Sequence, residues 1–191
     1  MTVMFRSQLP LPLLRVGKVR EVYEAGAEHL LLVASDRISA FDVVMDEPIP
    51  EKGRVLTQVS AFWFGKLAEV FPSHFVSASA GDIIQRLPEL APHRQAIRGR
   101  SMLVRRTNPV PFECVVRGYV AGSLWKEYRE ALQARPGKPV ELHGYVFPPD
   151  LSESQKLPEP IFTPATKADT GHDENVSYDY LARHTGPDTA L

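Results

Sequence analysis

A single cysteine, Cys114, stands in the 191-residue chain, so no intrachain disulfide can form. It sits inside an apolar run with no evident base nearby, where it reads as a small packed thiol and not as a nucleophile. Charge of one sign is also lacking: 22 basic residues face 23 acidic ones. Without a strong field, neither nucleic acid nor a membrane surface is implied as partner, and any anion site must be local. No apolar run approaches the roughly 18 residues that span a bilayer. Residues 1–14 contain prolines and no small-residue cleavage site, so no secretory leader is read there. The expectation is a soluble, cytoplasmic protein.

Internal repeats are absent too, which leaves ordinary secondary-structure patterns to read. Residues 18–24 (KVREVYE) and 28–34 (EHLLLVA), joined by Ala25-Gly26-Ala27, predict a β-hairpin. "SDRISAFD" and the turn-rich "EPIPEKG" read as loops at strand ends. Between Gly53 and Phe71, the residues Val55, Leu56, Val59, Phe62, Trp63, Leu67 and Val70 fall at helical spacing, which predicts a helix whose apolar stripe packs on the sheet. Further strands are expected at 74–78 and 101–106, the second ending at "NPVP", whose prolines force an extended hinge. A strand at 112–120, a helix at about 123–132 and a Pro/Gly-rich segment to about 160 follow. The pattern predicts an α+β fold in two parts, 1–108 and 109–191, the first built on a mainly antiparallel sheet.

Four stretches carry chemistry. In "PFECVVRGYVAGSLWKEY" strand alternation puts Cys114, Val116 and Val120 on one face, read as core, and Glu113, Val115, Arg117 and Tyr119 on the other. Glu113 and Arg117 are about 13 Å apart at strand rise, too far for a direct pair, so they serve different parts of a ligand. The Arg117 fork and the Gly122-Ser123 break at a helix start suit a phosphate. A solvated sheet face with Ser123 as an ordinary N-cap explains the same residues. In "VGKVREVYE", Gly17 permits close backbone approach and Lys18 and Arg20 share a strand face, an arrangement able to cover nucleotide phosphates, although no P-loop pattern is present. "SDRISAFD" sets Asp36, Arg37 and Asp42 beside Ser35 and Ser39, either as a binding loop or as a plain turn. "FTPATKADTGHDENVS" offers Lys167, Asp169, Asp173 and Glu174 in what reads as a mobile loop, and His172 has no second histidine or cysteine at zinc-ligand spacing.

Taken together, "GKVREVYE", "LVASDRISAFDVVMDEPIPEKGRVLTQVSAFWF", "VPFECVVRGYVAGSLWKEY" and "FTPATKADTGHDENVS" resemble the phosphoribosylaminoimidazole-succinocarboxamide synthase (SAICAR synthetase) family, in that family's order and across nearly the whole chain. The resemblance implies a kinase N-lobe-like first lobe and the beginning of an ATP-grasp-like second lobe, with the nucleotide cleft between them. It implies that Gly17, Lys18 and Arg20 cover the phosphates of ATP, that Pro109 belongs to the hinge meeting adenine, and that Glu113 passes the nucleotide cleft. By the same resemblance Arg117 and Ser123 hold the 5′-phosphate of the ribonucleotide. Asp36, Arg37, Ser39 and Asp42 border the imidazole. Lys167, Asp173, Glu174 and Asn175 close near aspartate and the substrate carboxylate, with Lys167, Asp173 and Glu174 as catalytic candidates.

The reaction so implied is ATP-dependent joining of L-aspartate to carboxyaminoimidazole ribonucleotide, with ATP and Mg²⁺ as cofactors. Small molecules are then the partners, with no nucleic acid or membrane. The family continues with a D-x-K-x-E-F-G signature and further carboxylates that face the metal, whereas this sequence stops at Leu191 before any of them. The expectation is therefore an incomplete second lobe, metal ligands beyond residue 191, and uncovered apolar surface that favours a homo-oligomer. A nucleotide-binding remnant without catalysis is the alternative. A protein-kinase-like phosphotransferase is disfavoured because no H-R-D or D-F-G motif occurs.

Overall fold

The computed structural model describes residues 3–40, 43–167 and 174–185. The chain forms two compact units, Met1–Asn108 and Pro109–Leu191. Among the described residues no helix is long and apolar enough to cross a membrane. The fold is mixed α+β with antiparallel sheets.

The first unit contains strands β1 (Leu13–Val16), β2 (Arg20–Glu24), β3 (His29–Ala34), β4 (Ser39–Ala40) and β5 (Val43–Val44), then helix α1 (Lys52–Leu67) and β6 (Phe75–Ser77). Helix α2 (Ala80–Arg86), a 3₁₀ turn (Pro88–His93), α3 (Arg94–Ile97) and β7 (Ser101–Arg105) complete it. Five strands make one antiparallel sheet in the order β1-β2-β3-β7-β6. The predicted hairpin is β2–β3, turning at Gly26, whose φ of 82° suits glycine. Lys18 lies in the turn between β1 and β2, not on a strand as expected, because Gly17 N–H donates to the Arg20 carbonyl and folds the chain back there.

Direct register pairs Glu21 with Val33, Tyr23 with Leu31, Leu31 with Leu103 and Val33 with Ser101, so these six side chains share a face, and all are buried. On that face Tyr23, Leu31, Val33 and Leu103 form a core with Ile83, Leu87, Leu90 and Ile97 of the α2–α3 segment. Burying each such aliphatic chain is worth about 1.5–3 kcal/mol.

Helix α1 forms where its periodicity predicts, but it ends at Leu67, and 68–71 continue only as turns. Its packing corrects the expectation. Gly53 and Thr57 are its buried residues, while Val55, Leu56, Val59, Phe62 and Trp63 are all about half exposed or more. The reason is Gly53: a Cβ there would lie 2.4 Å from the Ala34 carbonyl oxygen, so the first turn of α1 sits against the backbone of β3. Small residues therefore make the seam, and the bulky stripe turns outward. Farther along, Phe64 stacks on Phe75 with ring centroids 5.2 Å apart.

The second unit contains β8 (Phe112–Tyr119), α4 (Ser123–Ala134), β9 (Val140–Leu142), β10 (Tyr145–Phe147), β11 (Lys156–Thr166) and α5 (Tyr178–Thr185). Helix α4 turns Leu124 and Tyr128 into a core with Val120, Val140, Phe147, Leu157 and Ile161. The Tyr128 hydroxyl is satisfied there, donating to the Pro148 carbonyl at 2.6 Å and accepting from Leu151 N–H at 3.2 Å.

Two expectations fail in this unit. The segment from about 133 to 160 is not merely Pro/Gly-rich connection: it holds the β9–β10 hairpin and the start of β11, which pairs antiparallel with β8. Pro158 and Pro160 fall between Lys156 and Ile161, where the register with β8 is irregular, and Pro164 shares the parity of Phe162, whose N–H donates to the Tyr145 hydroxyl and not to β8. Cys114 is exposed, not packed, and Val116 beside it is 67% exposed. On that face α5 packs at Phe112 and at Phe162, the partner of Val116, and leaves Cys114 and Val116 themselves exposed.

Candidate functional site

Each unit presents a group of the residues singled out by sequence. In the first unit they gather around the turn between β1 and β2. Gly17 N–H donates to the Arg20 carbonyl at 2.7 Å, and a Cβ at Gly17 would press on that oxygen at 3.2 Å. The turn is fastened from the end of β3. Ser35 gives both its N–H and its hydroxyl to the Val19 carbonyl, each at 3.0 Å. Arg37 donates through Nε to the Ser35 hydroxyl at 3.0 Å and through Nη2 to the Gly17 carbonyl at 3.1 Å. Burial, and then the nearby Arg6 charge, lower the Arg37 pKa from its usual value, with Glu21 opposing. Arg20 and Ser35 line a small cavity of about 30 Å³ together with Lys52, from the first turn of α1.

Asp36 lies between Ser35 and Arg37 but is fully buried. One carboxylate oxygen accepts from Gly53 N–H (3.0 Å) and Arg100 (2.9 Å), the other from Met4 N–H (2.9 Å) and Arg100 (3.2 Å). Burial alone would raise this carboxyl, yet the Arg100 and backbone donors outweigh it and hold its pKa below the usual value. Asp36 thus ties the N-terminal segment, the start of α1 and the approach to β7 into one node. Ser39 opens β4 and is half-buried opposite Val44, while Asp42 lies outside the described residues.

In the second unit the Arg117 guanidinium bridges two hydroxyls. Its Nε donates to Thr163 at 2.9 Å and its Nη2 to Ser123 at 3.0 Å. Thr163 is buried and donates onward to the Val115 carbonyl, so β11 fixes the fork from beneath. The N-cap of α4 is Gly122, at φ 61°, which leaves the Ser123 hydroxyl at the first helical position to meet Arg117. No acidic residue occupies the first turn of α4. A basic fork, a hydroxyl and a helix N-terminus therefore converge, the chemistry of an anion subsite.

Glu113 does not pair with Arg117 but lies 3.6 Å from Lys167, both partly exposed. Pro109 is exposed at the start of the unit. Asn175 bridges back to Ala165 of β11 and donates to Glu127 at 2.9 Å, while the other oxygen of Glu127 meets His143 at 2.9 Å. Glu174 is exposed and is held by backbone bonds with Thr166. Asp169, His172 and Asp173 lie outside the described residues. Among the described residues no three His, Cys, Asp or Glu side chains converge as a metal site.

Sequence reasoning missed Lys52, Thr163 and Glu127. Glu127 follows Ser123 by four residues and so shares its helix face, a usable signal. Thr163 became visible only once β11 was a strand. Lys52 carried no signal beyond its place at a helix start.

Residues 13–190 match the family described as SAICAR synthetase. A phosphoribosylaminoimidazole-succinocarboxamide synthase of Syntrophotalea carbinolica is 52% identical over 181 residues, covering 94% of this chain and 57% of that protein. One from Elusimicrobium minutum is 49% identical, covering 95% and 59%. A solved SAICAR synthase of Saccharomyces cerevisiae, complexed with SAICAR, is 41% identical with a TM-score of 0.83, covering 98% of this chain and 60% of its own. A type-2 SAICAR synthetase in complex with ADP is 26% identical with a TM-score of 0.63, covering 90% and 57%. The chain thus spans somewhat more than half the length of the curated relatives it matches.

Proposed function

This chain belongs to the SAICAR synthetase family, and from that premise we propose that it carries the nucleotide- and ribonucleotide-binding portion of an ATP-dependent ligase of purine biosynthesis. The ligase joins L-aspartate to the carboxylate of carboxyaminoimidazole ribonucleotide, giving SAICAR, ADP and phosphate. The observation carrying the reading is the Arg117 fork, held at the start of α4 by Ser123 and Thr163. It offers charge-assisted donors to a monophosphate and is available in a chain whose relatives include proteins crystallised with SAICAR and with ADP. In this reading the first unit is the kinase N-lobe-like half and the second begins an ATP-grasp-like lobe. A non-catalytic remnant is not favoured, since the matched relatives bear the synthetase name.

The chemistry proceeds in two steps. The substrate carboxylate attacks the γ-phosphorus of ATP, the bond to the β-phosphate oxygen breaks, and an acyl phosphate and ADP result. The α-amine of aspartate then attacks the acyl carbon, phosphate leaves with its bonding electrons, and the amine loses a proton as the C–N bond is completed. The protein's share is positioning and charge neutralisation. Gly17, Lys18 and Arg20 cover the ATP phosphates, joined by Lys52, and Pro109 and Glu113 belong to the adenine side. Arg117 and Ser123 take the ribonucleotide phosphate. Lys167, Glu174 and Asn175, with Asp173, act near the aspartate and the substrate carboxylate, and Ser39 and Asp42 near the imidazole. The described residues do not by themselves make a Mg²⁺ site, and no step is assigned to the ion. The working place of such a ligase is the cytoplasm, and the exposed apolar face of α1 supports association into a homo-oligomer.

Calorimetric titration of the chain with ADP and with SAICAR tests the binding half of this reading. ADP release, with both substrates and Mg²⁺, by the chain and by a version extended to its relatives' length tests the catalytic half. Binding by both and turnover by the extended form alone is expected. Failure of both ligands to bind, or of the extended form to turn over, contradicts the proposal.

A further inference from the structure

The S-D-R residues Ser35, Asp36 and Arg37 make a poor substrate surface. Ser35, Asp36 and Arg37 are 3%, 0% and 9% exposed. Asp36 has both oxygens committed to Arg100 and backbone donors. What Ser35 and Arg37 touch is the β1–β2 turn, and they touch it at its carbonyls. Gly17 and Val19 are the two acceptors, reached by Arg37 Nη2 and by both donors of Ser35, while Arg37 Nε ties the two clamping side chains together. A backbone carbonyl repels a phosphate oxygen, whereas an N–H attracts it. A turn that covers phosphates works best with its carbonyls drawn toward donors on the protein side, and the serine and arginine do this for two of them.

We propose that Ser35 and Arg37 are positioning residues that latch the Gly17–Val19 turn in its phosphate-covering shape, so that this motif acts on ATP through the turn and not by contact with the imidazole substrate. The proposal rests on the reading that the turn covers the ATP phosphates. It replaces the expected substrate-bordering role of Asp36 and Arg37 with a scaffold role for Asp36 and a latch role for Arg37. Arginine suits the place because Nε and Nη2 of one planar group meet the Ser35 hydroxyl and the Gly17 carbonyl together, whereas a lysine ammonium on a flexible stem has no such fixed fork.

The test uses the chain with ADP and SAICAR as separate probes, together with amide hydrogen exchange at residues 17–20. Ser35→Ala and Arg37→Met are expected to weaken ADP binding about tenfold, the effect of losing roughly one net hydrogen bond's worth of turn stability. SAICAR affinity should stay within about twofold, and the turn amides should exchange faster. Arg37→Lys should recover part of the ADP affinity. Lys18→Ala is the control for the underlying reading: unchanged ADP affinity there, or no ADP binding by the unaltered chain, overturns the assignment of the turn and the latch with it. If Lys18→Ala weakens ADP but Ser35→Ala and Arg37→Met change neither affinity nor exchange, the latch alone is overturned. Equal loss of SAICAR affinity in properly folded variants overturns it too, in favour of direct substrate contact. Should Arg37→Met fail to fold, Ser35→Ala decides, because it removes only a hydroxyl.

Discussion

Arg37 in the first unit and Arg117 in the second stand in short polar motifs that follow or occupy a strand, yet the fold uses them in opposite ways. Arg37 is 9% exposed, and its donors go to a backbone carbonyl and to a serine that is itself bonded to backbone. Arg117 is only half-buried; its partners are two hydroxyls, and its Nη1 makes no hydrogen bond among the described residues. Backbone acceptors cannot leave, so an arginine committed to them becomes scaffold. Hydroxyls can rotate, and an arginine resting on them keeps its fork for a ligand. The same contrast separates the carboxylates: Asp36 is enclosed with Arg100, whereas Glu113 meets Lys167 at the surface.

The sharpest break of that contrast is Asp36→Ala. Arg100, 2% exposed, would be left buried with its charge uncompensated, at a cost of about 3–5 kcal/mol. Urea unfolding measures it, and a loss below about 1 kcal/mol would mean that the node is not a node. Gly53→Ala attacks the same place from the helix side. Its Cβ would meet the Ala34 and Ser35 carbonyl oxygens at 2.4 and 2.8 Å, and overpacking of that kind costs about 1–3 kcal/mol. A melting temperature equal to that of the unaltered protein would refute the close seam.

Acid should loosen the first unit. Asp36 and Glu21 both have pKa values below their ordinary 3.8 and 4.5; for Glu21, burial raises it but Ser7, Tyr23 and Arg6 outweigh that. Groups depressed on folding contribute stability that is fully present above the ordinary values and is lost as pH falls from them through the lowered folded values. Melting temperature against pH should therefore be flat above about 5 and fall below 4.5, with the drop reduced in Asp36→Ala. The smallest effect belongs to the exposed pair: Glu113→Ala should change stability by no more than about 1 kcal/mol, and less at high salt. A larger loss in urea unfolding would put Glu113 among the structural carboxylates.

What the sequence made legible was local. The β2–β3 hairpin showed as two strand-like runs around Gly26, and the Arg117–Ser123 approach spans six residues. What it hid depends on distant partners. The burial of Asp36 is decided by Arg100, 64 positions on, and the Arg117 fork is completed by Thr163, 46 positions on. The prolines of β11 disguised a strand, because their harmlessness depends on the irregular register between Lys156 and Ile161 and on which way Pro164 faces β8. The outward stripe of α1 was hidden for a related reason: helical period shows that a stripe exists, whereas the close contact at Gly53 decides which side meets the sheet.

The direct test of the functional account is a calorimetric titration of SAICAR into the unaltered chain and into Arg117→Ala, with circular dichroism confirming equal folding. Losing a charge-assisted fork to a phosphate should weaken binding about tenfold or more while melting temperature barely moves. A loss smaller than about threefold, with folding intact, would show that Arg117 is not the ribonucleotide's phosphate ligand and would contradict the assignment on which the proposed function stands.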